Sequence, residues 1–444
     1  MVTELLKSKN NYQSAFQSLQ QDTPMASWVE LLRESAMDQF DLLRFPSVSE
    51  EEWKYTNLTP IVKADFHPAL KDRASEIRKT DVDLFAYPET SRTHIVLLNG
   101  FLRADLSSTS ELGEVIVLDL SSAVADERYE KIVRAYLARN ANYHDNGLIA
   151  LNTAFIQSGI FILIPKDVKL EAPLQITYLS EPGSSNSASF PRVLVVAEEN
   201  SSAMLIESYR SVSEAGYFTN AVTEIVLKEG ARLEHYRLQR ESNRAFHVST
   251  TAATLGPKSS YDTTSITMGA QLSRHDIDVV MDHEGAECWV DGLYVVGSDQ
   301  HTDTHSVIDH KQPHCTSHQL YKGILDGKSR AVFNGKIFVR PGAQKTDAMQ
   351  TNKNLLLSNE ARVDTKPQLE IFADDVKCAH GAAVGQIDQD ELFYLETRGL
   401  NPELARNLLT YGFAEEVIAK IKVGSLKTQI DELVLHHLKA RLEV

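Results

Sequence analysis

From about Ala150 to Gly385 the chain carries short, β-branched apolar runs separated by turn residues, and no helix-length apolar period interrupts them. FILIP (161–165), RVLVVA (192–197), TEIVL (223–227), KIFV (336–339) and QLEIF (368–372) set the pattern, with Gly, Asn, Ser and Asp between them. Branched side chains suit extended backbone, and alternate residues of a strand face opposite sides, so these runs read as strands. Strand–turn units that recur without helices suit a solenoid, in which each rung stacks its apolar face on the next. A sandwich or barrel shares the local pattern, but the irregular spacing and the length favour a β-helix.

A weak internal similarity supports stacking. Four times a turn delivers Ala, any residue and then an apolar residue: Ser202-Ala203-Met204-Leu205, Gly230-Ala231-Arg232-Leu233, Gly285-Ala286-Glu287-Cys288 and Glu360-Ala361-Arg362-Val363. Cys288 occupies a place held elsewhere by Leu or Val, where a buried thiol behaves as a small hydrophobe.

The flanks read differently. Val29, Leu32, Ala36, Phe40 and Leu43 recur on one face of an amphipathic helix, which Pro46 ends. Ser49 is placed to cap a short helix, with Glu52 as its capping-box partner. HIVLLNG (94–100) is the first strand, which sets a boundary near residues 80–93. After Gln389 helices return. Asn401 and Pro402 form a start signal, Leu404, Leu408 and Tyr411 line one face, and Leu426, Ile430, Leu433 and Val434 line a face after Gly424. Those stripes need either the chain's own core or a partner to cover them. The expected organisation is a helical region over 1–90, a small mixed region over 91–149, a β-helix core over 150–388 and a helical region over 389–444.

The 444 residues include 45 Lys+Arg against 61 Asp+Glu, a net charge of −16. That balance argues against nucleic acid and anionic membrane, where cations must neutralise phosphate. No apolar run reaches the length of a membrane span, and MVTELLKSKNNYQSAF lacks the apolar stretch of a signal peptide, so a cytoplasmic protein is expected. The three cysteines, Cys288, Cys315 and Cys378, neither form a disulfide framework nor complete a four-thiolate iron–sulfur cluster.

Three stretches raise the question of chemistry. Gly323 to Ser329 (GILDGKS) resembles a phosphate loop, but it has three residues between its glycines where the nucleotide motif has four, so no ATP site is expected on this chain. His301, His305, His310, His314 and His318, with Cys315 among them, could be metal ligands or half-buried rung histidines. Spread along strands, they lie too far apart to meet at one ion. DVKCAHGAAVG (375–385) puts Cys378 and His380 two residues apart, hence on one face of a strand, followed by Gly381, Ala382 and Ala383, which leave room for close approach. It is the last β segment before the helices, where a solenoid needs a cap or a partner. Chemistry alone leaves this pair open between a metal or cluster site and two packed residues.

Long segments resemble the SufB/SufD proteins of the Suf iron–sulfur cluster assembly system. They are SEEEWKYTNL (49–58), ALNTAFIQSGIFILIPKDVKLEAPLQI (150–176), DHKQPHCTSHQLYKGIL (309–325), VFNGKIFVRPGAQKTDAMQTNKNLLLS (332–358), and the stretch from Lys366 through DDVKCAHGAAVG to GLNPELARNLLTYGFAEEV (399–417). The resemblance implies a mainly β fold, a right-handed parallel β-helix core flanked by N-terminal and C-terminal α-helical parts. It also implies a non-catalytic scaffold that pairs with a SufB-like subunit through the β-helix and docks a SufC-like ATPase through its C-terminal helices. A transient iron–sulfur cluster would be shared with the partner subunit and none bound permanently. The family's functional His falls on His380, with Cys378 beside it. SufB-like sequences carry a further Glu/His group after this motif; Gly381-Ala382-Ala383-Val384-Gly385 has none, which is the SufD-like form. A homodimer of the chain alone, a purely structural subunit without a cluster ligand, and a polysaccharide-active β-helix enzyme are the alternatives. Against the enzyme stand the absent secretion signal, the acidic charge and the lack of a calcium-binding carboxylate cluster beside a basic catalytic residue.

Overall fold

Each β-branched run becomes a strand, and consecutive strands alternate between two sheets. Phe218–Leu227 lies in the first sheet, Arg232–Gln239 in the second, and Phe246–Leu255 back in the first. The computed structural model describes residues 2–69, 75–181 and 186–440. Strands of successive rungs pair parallel and in register, as His301↔Arg330 through His310↔Val339 illustrate. The outcome is a parallel β-solenoid of about eight turns with helices at both ends of the chain. The first sheet runs from Ile116–Asp119 to Arg362–Ile371, and the second from Phe101–Leu102 to Lys377–Gly385.

The two ends differ. At the N-terminal end both outermost pairings turn antiparallel, Ile116–Asp119 on Ile160–Ile164 and Phe101–Leu102 on His94–Leu98. Leu120, Ala123 and Val133 from two short helices pack there against Phe161 and Leu194. At the other end, among the described residues, no strand follows Arg362–Ile371 or Lys377–Gly385.

In-register stacking fills the interior with columns of like position. Leu233, Tyr261 and Cys288 form one such column, all buried, so Cys288 is a core thiol. Tyr294 pairs with Gly323 and Tyr321 with Gly292, reciprocally on the same two strands. A Cβ on Gly323 would lie 2.0 Å from Tyr294 Cε2, and one on Gly292 would lie 2.1 Å from Tyr321 Cε1. The glycine that begins the phosphate-loop look-alike therefore makes room for a ring. The recurring Ala is only partly periodic. Ala231 and Ala286 are buried at corners before second-sheet strands, and Ala361 before a first-sheet strand, but Ala203 lies inside its strand and pairs with Leu233.

The expected N-terminal helix spans Ser27–Leu43, and Ala36, Met37 and Phe40 pack with Tyr12, Phe155 and Phe190. A second helix, Gly147–Ala154, is buried along its whole length and capped by Asn146, which accepts from the N–H groups of Leu148 and Ile149. This helix precedes the strand Ile160–Ile164, which pairs parallel with Arg192–Ala197. Ser49 does not cap. Glu51–Trp53 is one 3₁₀ turn without a side-chain cap, and Glu52 is drawn to His305 and Asn334 instead.

Pro402–Ile418 starts as expected, with Asn401 Oδ1 accepting from the Leu404 N–H at 2.7 Å. The stripe of Gly424–Ala440 (Leu426, Ile430 and Val434) is spent on the chain's own second sheet, against Ile206, Tyr236 and Leu293. Leu404 and Leu408 are instead about half exposed (54 % and 48 %), and Phe393 and Tyr394 of Gln389–Thr397 are exposed as well. No helix among the described residues is long and apolar enough to cross a membrane.

Candidate functional site at the open end of the solenoid

Lys377–Gly385 pairs parallel with Asp347–Leu356: Cys378↔Ala348, His380↔Gln350, Ala382↔Asn352 and Val384↔Asn354. Ala348, Gln350, Asn352 and Asn354 are buried, whereas Met349 between them is exposed, so the even positions face inward. In-register parallel partners share a face, which places Cys378 and His380 toward the solenoid axis at its open mouth. Cys378 is half-buried against Ala348, Ile337 and Val339. Burial, followed by the nearby Asp347 charge, pushes its thiol up. His380 is exposed on the last rung.

The surroundings are unfinished. The outer edges of Arg362–Ile371 and Lys377–Gly385 have no strand partner among the described residues, and Ile371, Phe372 and Val384 are exposed. Natural proteins cover or blunt such edges, because unpaired N–H and C=O rows recruit another chain. A groove of about 500 Å³ runs from this rung to the C-terminal helices, lined by Ala383, Gly385, Ile387, Leu408, Leu409 and Phe413.

The five histidines of 301–318 do not converge. His301 faces Thr56 at 2.8 Å, His310 points inward to Ser317 at 2.8 Å, His314 lies 3.9 Å from Glu284, and His318 stacks beside Trp289. Among the described residues no three His, Cys, Asp or Glu side chains are placed to hold a metal ion.

His305 belongs to a clasp that sequence reasoning missed. Its Nε2 meets Asp303 at 3.0 Å and its Nδ1 meets Glu52 at 3.3 Å. Arg274 donates to Asp303 at 2.9 Å and to the Glu52 carbonyl at 2.7 Å, and stacks on Trp53. Thr56 donates to Asp303 at 2.5 Å. Burial alone would depress His305, but Asp303 and Glu52 outweigh it and raise the imidazole to about 9. Burial likewise opposes ionisation of Asp303, yet His305 and Arg274 hold its carboxyl far below the usual range. The Glu51–Thr56 segment is thereby fixed to the outer face of the first sheet, and Glu51 reaches Lys366 on its last strand at 2.6 Å. WKYT was visible as a motif; its partners, more than two hundred residues away, were not.

The chain matches two family models in succession: the SufBD protein N-terminal region over residues 6–176 and the SUF system FeS cluster assembly SufBD core domain over 179–413. It is 36 % identical over 410 residues to an iron–sulfur cluster assembly SufBD family protein of Synechocystis, covering 90 % of this chain and 89 % of that one. It is 31 % identical to the iron–sulfur cluster assembly protein SufD of Escherichia coli, over 87 % of each chain. Chloroplastic protein ABCI7 of Arabidopsis thaliana is also 31 % identical, over 90 % of this chain and 84 % of its own length. The chain belongs to the SufBD family of iron–sulfur cluster assembly proteins.

Proposed function

We propose that the chain is a SufD-type, non-catalytic scaffold subunit of the Suf system, working in the cytoplasm. It pairs with a SufB-like subunit through the open end of its β-helix. Together the two hold a nascent iron–sulfur cluster, which is cargo and not a resident cofactor. His380 supplies a ligand from this side, Cys378 is the second candidate, and the partner supplies the rest. The exposed apolar residues Phe393, Tyr394, Leu404 and Leu408 form the docking surface for a SufC-like ATPase. ATP-driven motion there reaches the His380 strand across the groove between Ala383–Ile387 and Leu408–Phe413.

The observation that carries this reading is the uncovered last rung, with His380 at the solenoid mouth on one of its two unpaired edge strands. Co-expression with SufB-like and SufC-like partners tests it. The three chains should co-purify, and amides of Lys377–Gly385 should exchange hydrogen far more slowly in the complex than in the isolated chain. Failure to co-purify, or unchanged exchange at that strand, would contradict the pairing. The same edge can join two copies of the isolated chain, which sedimentation measures.

A further inference from the structure

His380 is the top of an inward column. It pairs in register with Gln350, and Gln350 pairs with Gln319. Gln350 is 1 % exposed. Below it, Gln319 and Ser306 bond each other, Gln319 Nε2 donating to Ser306 Oγ at 2.8 Å and Ser306 Oγ lying 3.2 Å from Gln319 Oε1, while Gln350 Nε2 donates to that same Gln319 Oε1 at 2.8 Å. That leaves Gln350 Oε1 as the terminal acceptor, and this buried oxygen has no hydrogen-bond partner. A buried carbonyl oxygen without a donor carries its full desolvation cost. The next side chain in the column is His380, on a strand one sheet spacing of about 4.8 Å away, within reach of an amide–imidazole bond. Gly335 keeps the carboxamide in place, since a Cβ there would lie 2.4 Å from Gln350 Nε2.

We infer that Gln350 is a positioning residue for His380: its Oε1 accepts one ring N–H of His380 and so leaves the other ring nitrogen free as an electron-pair donor toward the shared cluster. A ligating imidazole is neutral, and its tautomer is set by the hydrogen bond of its second nitrogen. A column that ends on a carbonyl oxygen selects an N–H on the near side. The ligating role of His380 comes from the proposed function; the unpartnered Gln350 oxygen below it does not depend on that role.

The test reads the tautomer directly. The full chain is labelled with ring-¹⁵N histidine, and long-range ¹H–¹⁵N spectra are recorded at pH 8, with the His380 signals identified by their loss in His380→Ala. Wild type should show one tautomer, Gln350→Leu a mixture, and Gln350→Glu, which keeps an acceptor, one tautomer again. Gly335→Ala, which displaces the carboxamide without changing its chemistry, should also give a mixture. A mixture in wild type, or one unchanged tautomer in both Gln350→Leu and Gly335→Ala, overturns the inference. In the co-purified complex Gln350→Leu should lower cluster content about tenfold, as loss of a ligand's hydrogen-bond partner does. Should His380→Ala leave cluster content intact, the ligand reading fails, while the spectra still decide the role of Gln350.

Discussion

The Arg274 guanidinium lies 3.7 Å from the centre of the Trp53 ring. That contact, with Asp303 and Glu52 around it, anchors the N-terminal helical part to the solenoid. Trp53 is buried, so Trp53→Ala removes a full aromatic side chain and leaves Arg274 stacked on nothing. The expected loss is about 3–5 kcal/mol in urea unfolding, with new protease cleavage between residues 44 and 58. An unchanged unfolding midpoint would contradict the anchoring role.

Histidines of opposite sign shape the pH dependence of stability. Folded His305 titrates near 9, above the ordinary 6.5, so its contribution is complete below about pH 6.5 and is lost as pH rises through 9. It is on the order of 3 kcal/mol. His94 and His310 are depressed to about 4, chiefly by burial, so their contribution is present above about pH 6.5 and is lost as pH falls toward 4. These three histidines by themselves place the maximum near pH 6.5; Asp278, raised to about 7 chiefly by burial, opposes the acid limb, because its contribution is complete below about pH 3.8 and is lost as pH rises through 7. His305→Asn should flatten the alkaline limb and His310→Asn the acid limb, as urea midpoints across pH 4–10 would reveal.

The reciprocal Tyr–Gly pairing makes Gly323 intolerant of any side chain. Gly323→Ala should cost about 1–3 kcal/mol through overpacking. Trimming the opposing ring in Tyr294→Ala should remove much of that penalty in the double mutant, leaving the contact with Asn354 Oδ1, 2.4 Å from the added Cβ. Equal penalties in both backgrounds, measured in a double-mutant cycle, would refute the packing explanation.

The contrast between Glu52 and Asn401 shows what the sequence reveals. Asn401 caps its helix because the partner N–H, on Leu404, is three residues away, and local signals of that kind are legible. The solenoid was legible for a similar reason: short branched runs without helical period have few other solutions. Glu52 had an equally good local role beside Ser49, but the cationic His305 outbids that cap from across the fold. The apolar stripe of Leu404 and Leu408 matched that of Leu426 and Ile430 in pattern, yet only the second is buried. Periodicity identifies a sticky face and is silent on what covers it. At the site, the two-residue spacing placed Cys378 and His380 on one face, whereas Gln350 below them emerges only from register.

Phe393 and Tyr394 are largely exposed on Gln389–Thr397, a helix with no buried residues. Phe393→Asp with Tyr394→Asp should shift folding stability by no more than about 0.5 kcal/mol, as exposed substitutions do. It should abolish capture of a SufC-like ATPase in a pull-down while leaving SufB-like pairing intact. Full ATPase capture by a folded double mutant would move the docking surface elsewhere.

The most direct measurement is the iron and sulfide content of the anaerobically purified complex with SufB-like and SufC-like partners, for wild type, His380→Ala and Cys378→Ala. His380→Ala should assemble normally but lose most of the cluster and its visible absorption, while Cys378→Ala retains most of both. Wild-type iron and sulfide in the His380→Ala complex would contradict the assignment of the open rung as half of the cluster site.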